Sequence, residues 1–410
     1  MRQRGGHSRL LIYSHDTFGL GHLRRCRTIA HALVDRRSDL SVLILSGSPI
    51  IGSFSFRNCV DFVRIPGVIK LNDGDYQPLG LNIGLDDILS MRAKIIRHTA
   101  EAYEPDIFLV DKEPLGLRGE VKDTLTMLKA RGTPLVLGLR DVMDEPGQLA
   151  EEWARKNATP ALADLYDAIW VYGLPQICSA LEGIPLPASA RAKVHYTGYL
   201  RRQPASAHRL SNLPTPIGDD PYLLVTTGGG GDGAPLIDWV LRAYEHDRDL
   251  PYPALLVLGP FMRSSLQAEF KERVSLLKRV HAITFEANLE NLMASASGII
   301  AMGGYNTFCE ILSFDKPALI VPRTEPRLEQ FIRASRAQAM GLTKMLDAQS
   351  GMSANRMAAA LRELPRQPKP SEVQIGGLLD GLEVIGDFVD RWLDHPASPA
   401  RQLALVHEAR

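Results

Sequence analysis

The apolar positions of this chain fall into short blocks that alternate with helical patterns from end to end. Residues 10–14 (LLIYS), 41–45, 60–65, 106–110 (DIFLV), 134–139 and 168–171 are strand-like apolar runs. Between them, 22–33, 88–103 and 121–130 carry apolar residues at helical spacing. A Gly- and Asp-rich stretch, 72–87, reads as a loop. Segment 194–203 opens as a strand and ends on basic residues, and 204–221, rich in Pro, Ser and Asp, reads as a linker. The alternation then restarts. Strands are expected at 222–226 (YLLVT), 254–258, 281–285, 298–301 and 319–321. Helices are expected at 235–244, within 261–277, and at 289–296, 328–340 and 376–393. Such alternation predicts α/β architecture built on parallel sheets.

Composition narrows the picture in three ways. A chain of 410 residues exceeds one ordinary core, so two domains are expected, meeting near residue 205. Lys+Arg and Asp+Glu both number 47, a formal net charge of +0, which gives no support to a nucleic-acid partner. The four cysteines, Cys26, Cys59, Cys178 and Cys309, are scattered, with no C-x-x-C and no His at zinc-ligand spacing, which fits a reducing cytoplasm. The start of the chain has too short an apolar run for a signal peptide, and no run of about 18 apolar residues exists for a membrane span. A cytoplasmic protein is expected, with peripheral attachment at the inner membrane face left open.

Two glycine turns carry candidate chemistry. Gly228, Gly229, Gly230 and Gly231 follow the strand YLLVT and precede a helix with Pro235 in its first turn. Glycines let backbone approach a diphosphate closely, and a helix start offers N–H donors to it. The spacing is not G-x-G-x-x-G, which argues against a dinucleotide. Gly303 and Gly304 again sit between strand and helix, with Asn306 and Thr307 as helix-start residues and Glu310 about two turns in. A carboxylate there can accept hydrogen bonds from a ribose diol. Pro317, Pro322 and the pair Glu329–Gln330 complete the constellation.

From residue 285 to residue 333 this sequence resembles the donor-binding half of GT-B glycosyltransferases related to the GlcNAc transferase that makes lipid II. The resemblance implies a GT-B fold, two Rossmann-like domains facing across a cleft. Domain 1–205 would bind the acceptor and 206–365 a UDP-sugar, with 366–410 supplying a helix that packs back across the cleft and a tail. It also implies roles. Phe285 and Glu286 would flank the base, Glu310 would take the ribose hydroxyls, and Gly304 and Asn306 would lie by the diphosphate. Glu329 and Gln330 would hold the sugar, although that family usually has Gln or Asp where Glu329 stands. Arg323 has no counterpart there and reads either as a diphosphate partner or as a surface arginine.

The loop SHDTFGLGHLRR follows the first strand and places Gly19, Gly21 and His22 at the edge where open α/β sheets bind ligands. These three match the first motif of the same family, G-x-G-H. A histidine at a helix start tends toward the neutral form, which a general base needs. His15 and Asp16 are rivals in the same loop, with Asp16 able to orient His15. Asp111, Glu113, Arg140 and Asp141 lie just beyond strand ends and read as acceptor contacts or as solvated loop charges. The run GHLRRCRTIAHAL also resembles a second GT-B branch, which hydrolyses a UDP-linked sugar in pseudaminic acid synthesis; Gly21, His22, Arg25, Cys26 and Ala30 match its motif.

The expected activity is therefore inverting transfer of a sugar from a UDP-sugar to an acceptor hydroxyl, the acceptor being a saccharide, a lipid-linked molecule or a small metabolite. No cofactor is expected, since the UDP-sugar is a substrate. No metal is expected either, because no D-x-D stands where a metal-bound diphosphate needs it and Asp219–Asp220 lies in the linker. UDP-sugar hydrolysis, nucleotide-sugar epimerisation, and sensing without catalysis remain as alternatives. Oligomeric state is not legible.

Overall fold

The computed structural model describes residues 6–16, 21–70, 76–204, 220–286 and 288–395. It divides into two compact units, Met1–Leu200 with Gly377–Arg410, and Arg201–Gly376. The linker stretch 205–219 and Gly19 lie outside the described residues.

The first unit runs β1 (Ser8–Ser14), α1 (Gly21–Arg36), β2 (Leu40–Ser46), β3 (Val60–Arg64), β4 (Val68–Lys70), β5 (Tyr76–Pro78), α2 (Leu85–Tyr103), β6 (Ile107–Asp111), α3 (Lys122–Ala130), β7 (Leu135–Arg140), α4 (Pro146–Arg155), α5 (Ala158–Asp164), β8 (Ala168–Tyr172), α6 (Ala188–Arg191) and β9 (Val194–Tyr196). Seven strands form one sheet in the order β3-β2-β1-β6-β7-β8-β9, with every pairing parallel. Helices cover both faces of such a sheet, which is why its strands read as unbroken apolar runs; β6 and β8 are buried at every position. The order reverses between β1 and β6. That reversal opens a crevice beyond the carboxyl ends of the strands, where ligands bind.

The first unit differs from the sequence expectation in several places, α5 and α6 among them. The stretch 72–87 is not all loop: β5 pairs antiparallel with β4, and α2 already begins at Leu85. Asp86 and Asp87, read as loop residues, stand in the first helical turn, where acidic side chains complement the positive end of the dipole. The helix α4 was not anticipated, although its signal is present. Pro146 opens it, and Glu145 caps it by accepting from the Gly147 and Gln148 N–H groups at 3.2 and 3.1 Å.

The second unit runs β10 (Leu223–Thr226), α7 (Ala234–His246), β11 (Ala254–Val257), α8 (Ser264–Ser275), β12 (Val280–Ile283), α9 (Leu289–Ser295), β13 (Gly298–Ala301), α10 (Tyr305–Ser313), β14 (Ala318–Ile320), α11 (Glu329–Ala339), β15 (Lys344–Met345) and α12 (Ala354–Glu363). Its sheet order is β12-β11-β10-β13-β14-β15, again parallel throughout, and the reversal falls between β10 and β13. Helix α12 joins this core through Met357, Ala358 and Leu361, and Ser371 bonds Asp315, so the unit extends past 365 to Gly376. At its other end, Arg202 donates its backbone N–H to Ser313 and its guanidinium to Asn306, which ties 201–204 to this unit.

The last helix, α13 (Gly381–Asp394), returns to the first unit. Trp392 stacks on Trp170 with ring centroids 5.9 Å apart, and Phe388 packs on His195. Arg36 and Arg37 at the end of α1 pair with Asp387, Asp390 and Asp394. Among the described residues, no helix is long and apolar enough to cross a membrane.

Candidate active site

The reversal point of the first sheet gathers the N-terminal candidates. His22 is the second residue of α1, and Asp111 is the last of β6. His22 Nδ1 lies 2.5 Å from Asp111 Oδ2. Arg25, one turn further along α1, donates through Nε and Nη2 to the two oxygens of the same carboxylate at 2.8 and 2.7 Å. Arg25 Nη2 also lies 3.0 Å from His22 Nδ1, but the Asp111 carboxylate at 2.5 Å can only accept, so the proton is assigned to Nδ1 and Nε2 keeps its lone pair. Burial alone would raise the Asp111 carboxyl; Arg25 and His22 outweigh it and hold the group well below the usual carboxylate range. Burial pushes the His22 imidazole below its ordinary 6.5, Asp111 opposes this, and Arg25 and Lys112 reinforce it. The net direction favours the neutral ring, the state in which an imidazole accepts a proton. Asp111, expected among the acceptor contacts, is the partner of this histidine.

His15 lies beside this pair, its ring centroid 5.8 Å from that of His22 and nearly perpendicular to it. Its Nδ1 faces the Tyr13 hydroxyl at 3.3 Å and not Asp16. Tyr13 donates to Glu120 at 2.5 Å, and Arg92 grips both Glu120 oxygens at 2.6 Å. Burial drives the His15 imidazole well below its ordinary value, against the pull of Glu113. Asp16 has a different task. One of its oxygens accepts the Leu23 N–H at 3.1 Å, and the other accepts the Ser46 hydroxyl at 2.6 Å. It thereby fixes the start of α1 against β1 and β2.

The remaining acceptor candidates are spread along the same edge. Glu113 is buried and paired with Lys156 at 2.9 Å and Lys112 at 3.6 Å. Lys112 itself sits at φ 71°, a strained value for a residue with a side chain and one that collects at functional sites. Arg140 ends β7, and Asp141 is buried and accepts the Tyr199 hydroxyl at 2.8 Å. Gly21 opens α1.

The reversal point of the second sheet gathers the two glycine turns. Gly228 and Gly230 have φ of 65° and 86°, values that disfavour any side chain. A Cβ on Gly230 would lie 2.4 Å from the Leu258 carbonyl, so this part of the turn is packed against β11. Gly229 and Gly231 complete the run, Gly231 exposed. Gly303 has φ 79°, and its carbonyl accepts from the fully buried Arg333 at 2.8 Å. Gly304 caps α10 without a side chain, and among the described residues no atom lies within 4 Å of a Cβ built there. The space beside Gly304 at the start of α10 is thus open, and a helix start is where anions are received.

Around this turn, Asn306, Thr307 and Glu310 all lie on buried positions of α10. Glu329 and Gln330 begin α11, and Gln330 Oε1 accepts the Arg323 backbone N–H at 3.2 Å. The Arg323 guanidinium reaches Asp232 of the glycine-rich loop at 2.7 Å and Glu329 at 3.5 Å. Phe285, just past the end of β12, is 43% exposed, which for a large apolar ring marks an available flat surface. Glu286 accepts the Asn288 N–H at 2.7 Å.

Sequence reading did not single out Tyr13, Arg92, Glu120, Asp232 or Arg333. Asp232 had a signal, an acid inside a glycine run. Arg92 and Glu120 had none, because their pairing joins residues far apart in sequence.

Comparison with known proteins bears on the fold. Residues 223–373 match the family model of the glycosyltransferase family 28 C-terminal domain. An uncharacterized glycosyltransferase of Methanosarcina mazei is 29% identical over 154 residues, 38% of this chain and 37% of that protein. The chain thus matches little more than a third of that relative's length. Among solved structures, the glycotransferase of kitacinnamycin superposes with a TM-score of 0.61 at 16% identity, covering 95% of this chain and all of that one. Medicago truncatula UGT71G1, solved with UDP-glucose, gives 0.60 at 14% identity over 94% of this chain and 98% of its own. A UDP-N-acetylglucosamine 2-epimerase gives 0.61 at 14% identity over 95% of this chain and 96% of its own. The fold is GT-B, and the second half carries the family 28 resemblance expected from its sequence. At these identities the structural likeness speaks to fold alone.

Proposed function

We propose that this protein is an inverting glycosyltransferase that moves a sugar from a UDP-sugar to an acceptor hydroxyl. The observation that carries the reading is the His22–Asp111 pair, braced by Arg25 at the reversal point of the first sheet. In the proposed step, His22 Nε2 takes the proton of the acceptor hydroxyl as its oxygen attacks the anomeric carbon. The bond from that carbon to the diphosphate breaks, and the electron pair leaves on UDP. A single displacement inverts the anomeric centre. Asp111 stabilises the imidazolium that forms, as a buried carboxylate does beside a catalytic histidine.

The leaving diphosphate is stabilised in this reading by N–H groups at Gly228–Gly231 and at the start of α10, with Arg323 beside them. These donors take the developing charge without a metal. Phe285 and Glu286 are assigned to the base, and Glu329 and Gln330 to the sugar. Gly303 shapes the turn, Gly304, Asn306 and Thr307 lie by the diphosphate, and Glu310 takes the ribose. Glu310 is fully buried, so it must exchange protein surroundings for the ribose hydroxyls. On the acceptor side, Gly21, Glu113, Arg140 and Asp141 remain assigned as contacts, His15 stands as a second imidazole, and Asp16 holds α1 in place.

Hydrolysis with water as the acceptor is a second reading, favoured by one observation: Arg25, a matching residue of the hydrolase-type motif, is the residue that braces Asp111. One experiment separates the two. The protein is incubated with a panel of UDP-sugars without acceptor, and UDP release is followed by mass spectrometry. Transfer predicts binding of one donor with only slow leakage; rapid release of UDP and free sugar would replace transfer by hydrolysis.

A further inference from the structure

The ion pair between Arg323 and Asp232 joins two loops across a third. Asp232 belongs to the loop after β10, and Arg323 to the loop after β14. The strand between them in the sheet is β13, whose end carries Gly303 and Gly304. The pair therefore spans the turn at Gly303 and Gly304, where a Cβ on Gly304 would meet no described atom within 4 Å. Arg323 is fixed on its backbone side by Gln330 and touched by Glu329, while its Nε is buried and has no hydrogen-bond partner among the described residues.

Resting on the donor-site reading above, we propose that Arg323 reads the diphosphate of the nucleotide and that Asp232 occupies its place in the unliganded chain. Asp232 is half exposed at 48% and Arg323 is 26% exposed. An ion pair so open to water contributes little, so its rupture is cheap. A diphosphate offers several charged oxygens to the same guanidinium, in the fork geometry that arginine favours. Asp232 thus keeps the guanidinium over the turn and then yields it. Because Asp232 is also a negative charge near the incoming phosphates, it opposes nucleotide binding.

Calorimetric titration of the full chain with UDP, UMP and uridine tests this, using wild type, Arg323→Gln and Asp232→Asn. Arg323→Gln should weaken UDP at least tenfold and uridine less than twofold, and should erase the preference for UDP over UMP. Asp232→Asn should strengthen UDP two- to fivefold at low salt and leave uridine unchanged. If Arg323→Gln binds UDP as wild type does, or loses UDP and uridine equally, the proposal is overturned while the donor site stands. Weaker UDP binding in Asp232→Asn would overturn the place-holding role. A wild-type protein that binds none of the three would overturn the donor-site reading and this proposal with it.

Discussion

Replacing Gly304 by alanine separates binding from folding. Gly304 has φ −60° and ψ 152°, a conformation alanine adopts freely. A Cβ there meets no described atom within 4 Å. Alanine loses a few tenths to about 1 kcal/mol as a helix cap relative to glycine, and regains about 0.4–1 kcal/mol by restricting the unfolded chain. The two nearly cancel, so the melting temperature should stay within about 2–3 °C of wild type. In the proposed donor site the added methyl stands where the diphosphate approaches the start of α10. Losing charge-assisted hydrogen bonds of about 1.5–3 kcal/mol weakens UDP roughly tenfold to a hundredfold. Gly230→Ala is the contrasting control: its φ of 86° and a Cβ 2.4 Å from the Leu258 carbonyl and 2.9 Å from Gly259 Cα leave no room. A left-handed alanine costs about 1–2 kcal/mol before any clash, so this variant should melt several degrees lower. Calorimetry for UDP and thermal unfolding for stability read both effects. Wild-type UDP affinity in Gly304→Ala would refute the assignment of the diphosphate to this turn.

Three further outcomes are expected. Asp111→Asn should lower kcat by roughly 10⁴-fold, the scale seen for catalytic His–Asp pairs; because Asp111 raises the His22 pKa, its loss moves the acid limb of the rate profile further below 6.5. Glu120→Ala leaves Arg92 buried without its carboxylate and should cost about 3–5 kcal/mol in urea unfolding, whereas Arg92→Met combined with Glu120→Leu should recover most of it. Burial would raise the Glu113 carboxyl, but Lys112 and Lys156 outweigh it and hold the group below its ordinary 4.5. Its contribution is whole above that value and is lost as pH falls toward the folded pKa, so Glu113→Gln should flatten the acid side of the stability curve.

Much of the fold was legible because parallel strands covered on both faces leave a simple trace. The runs at 10–14, 106–110 and 222–226 correspond to β1, β6 and β10 within a few residues. Short or partly polar elements were not legible: β15 is two residues long, and β5 (YQP) has no apolar alternation. The glycine turns could be read because their composition reflects a local backbone demand. The pairing of His22 with Asp111 could not, since the two residues are 89 positions apart and meet only because β1 and β6 are neighbours. Arg25 was half legible. Its spacing of three from His22 puts both on one face of α1, yet nothing in the sequence says what that face meets.

The most direct test of transfer by a His22 base is the His22→Ala variant, assayed with the UDP-sugar selected by the donor panel. Arg25 still pairs with Asp111 in that variant, so no buried charge is left uncompensated. The account predicts that turnover is lost while UDP affinity stays within about twofold of wild type, a change of roughly 0.4 kcal/mol or less. Turnover equal to wild type would remove His22 from the chemistry and contradict the account.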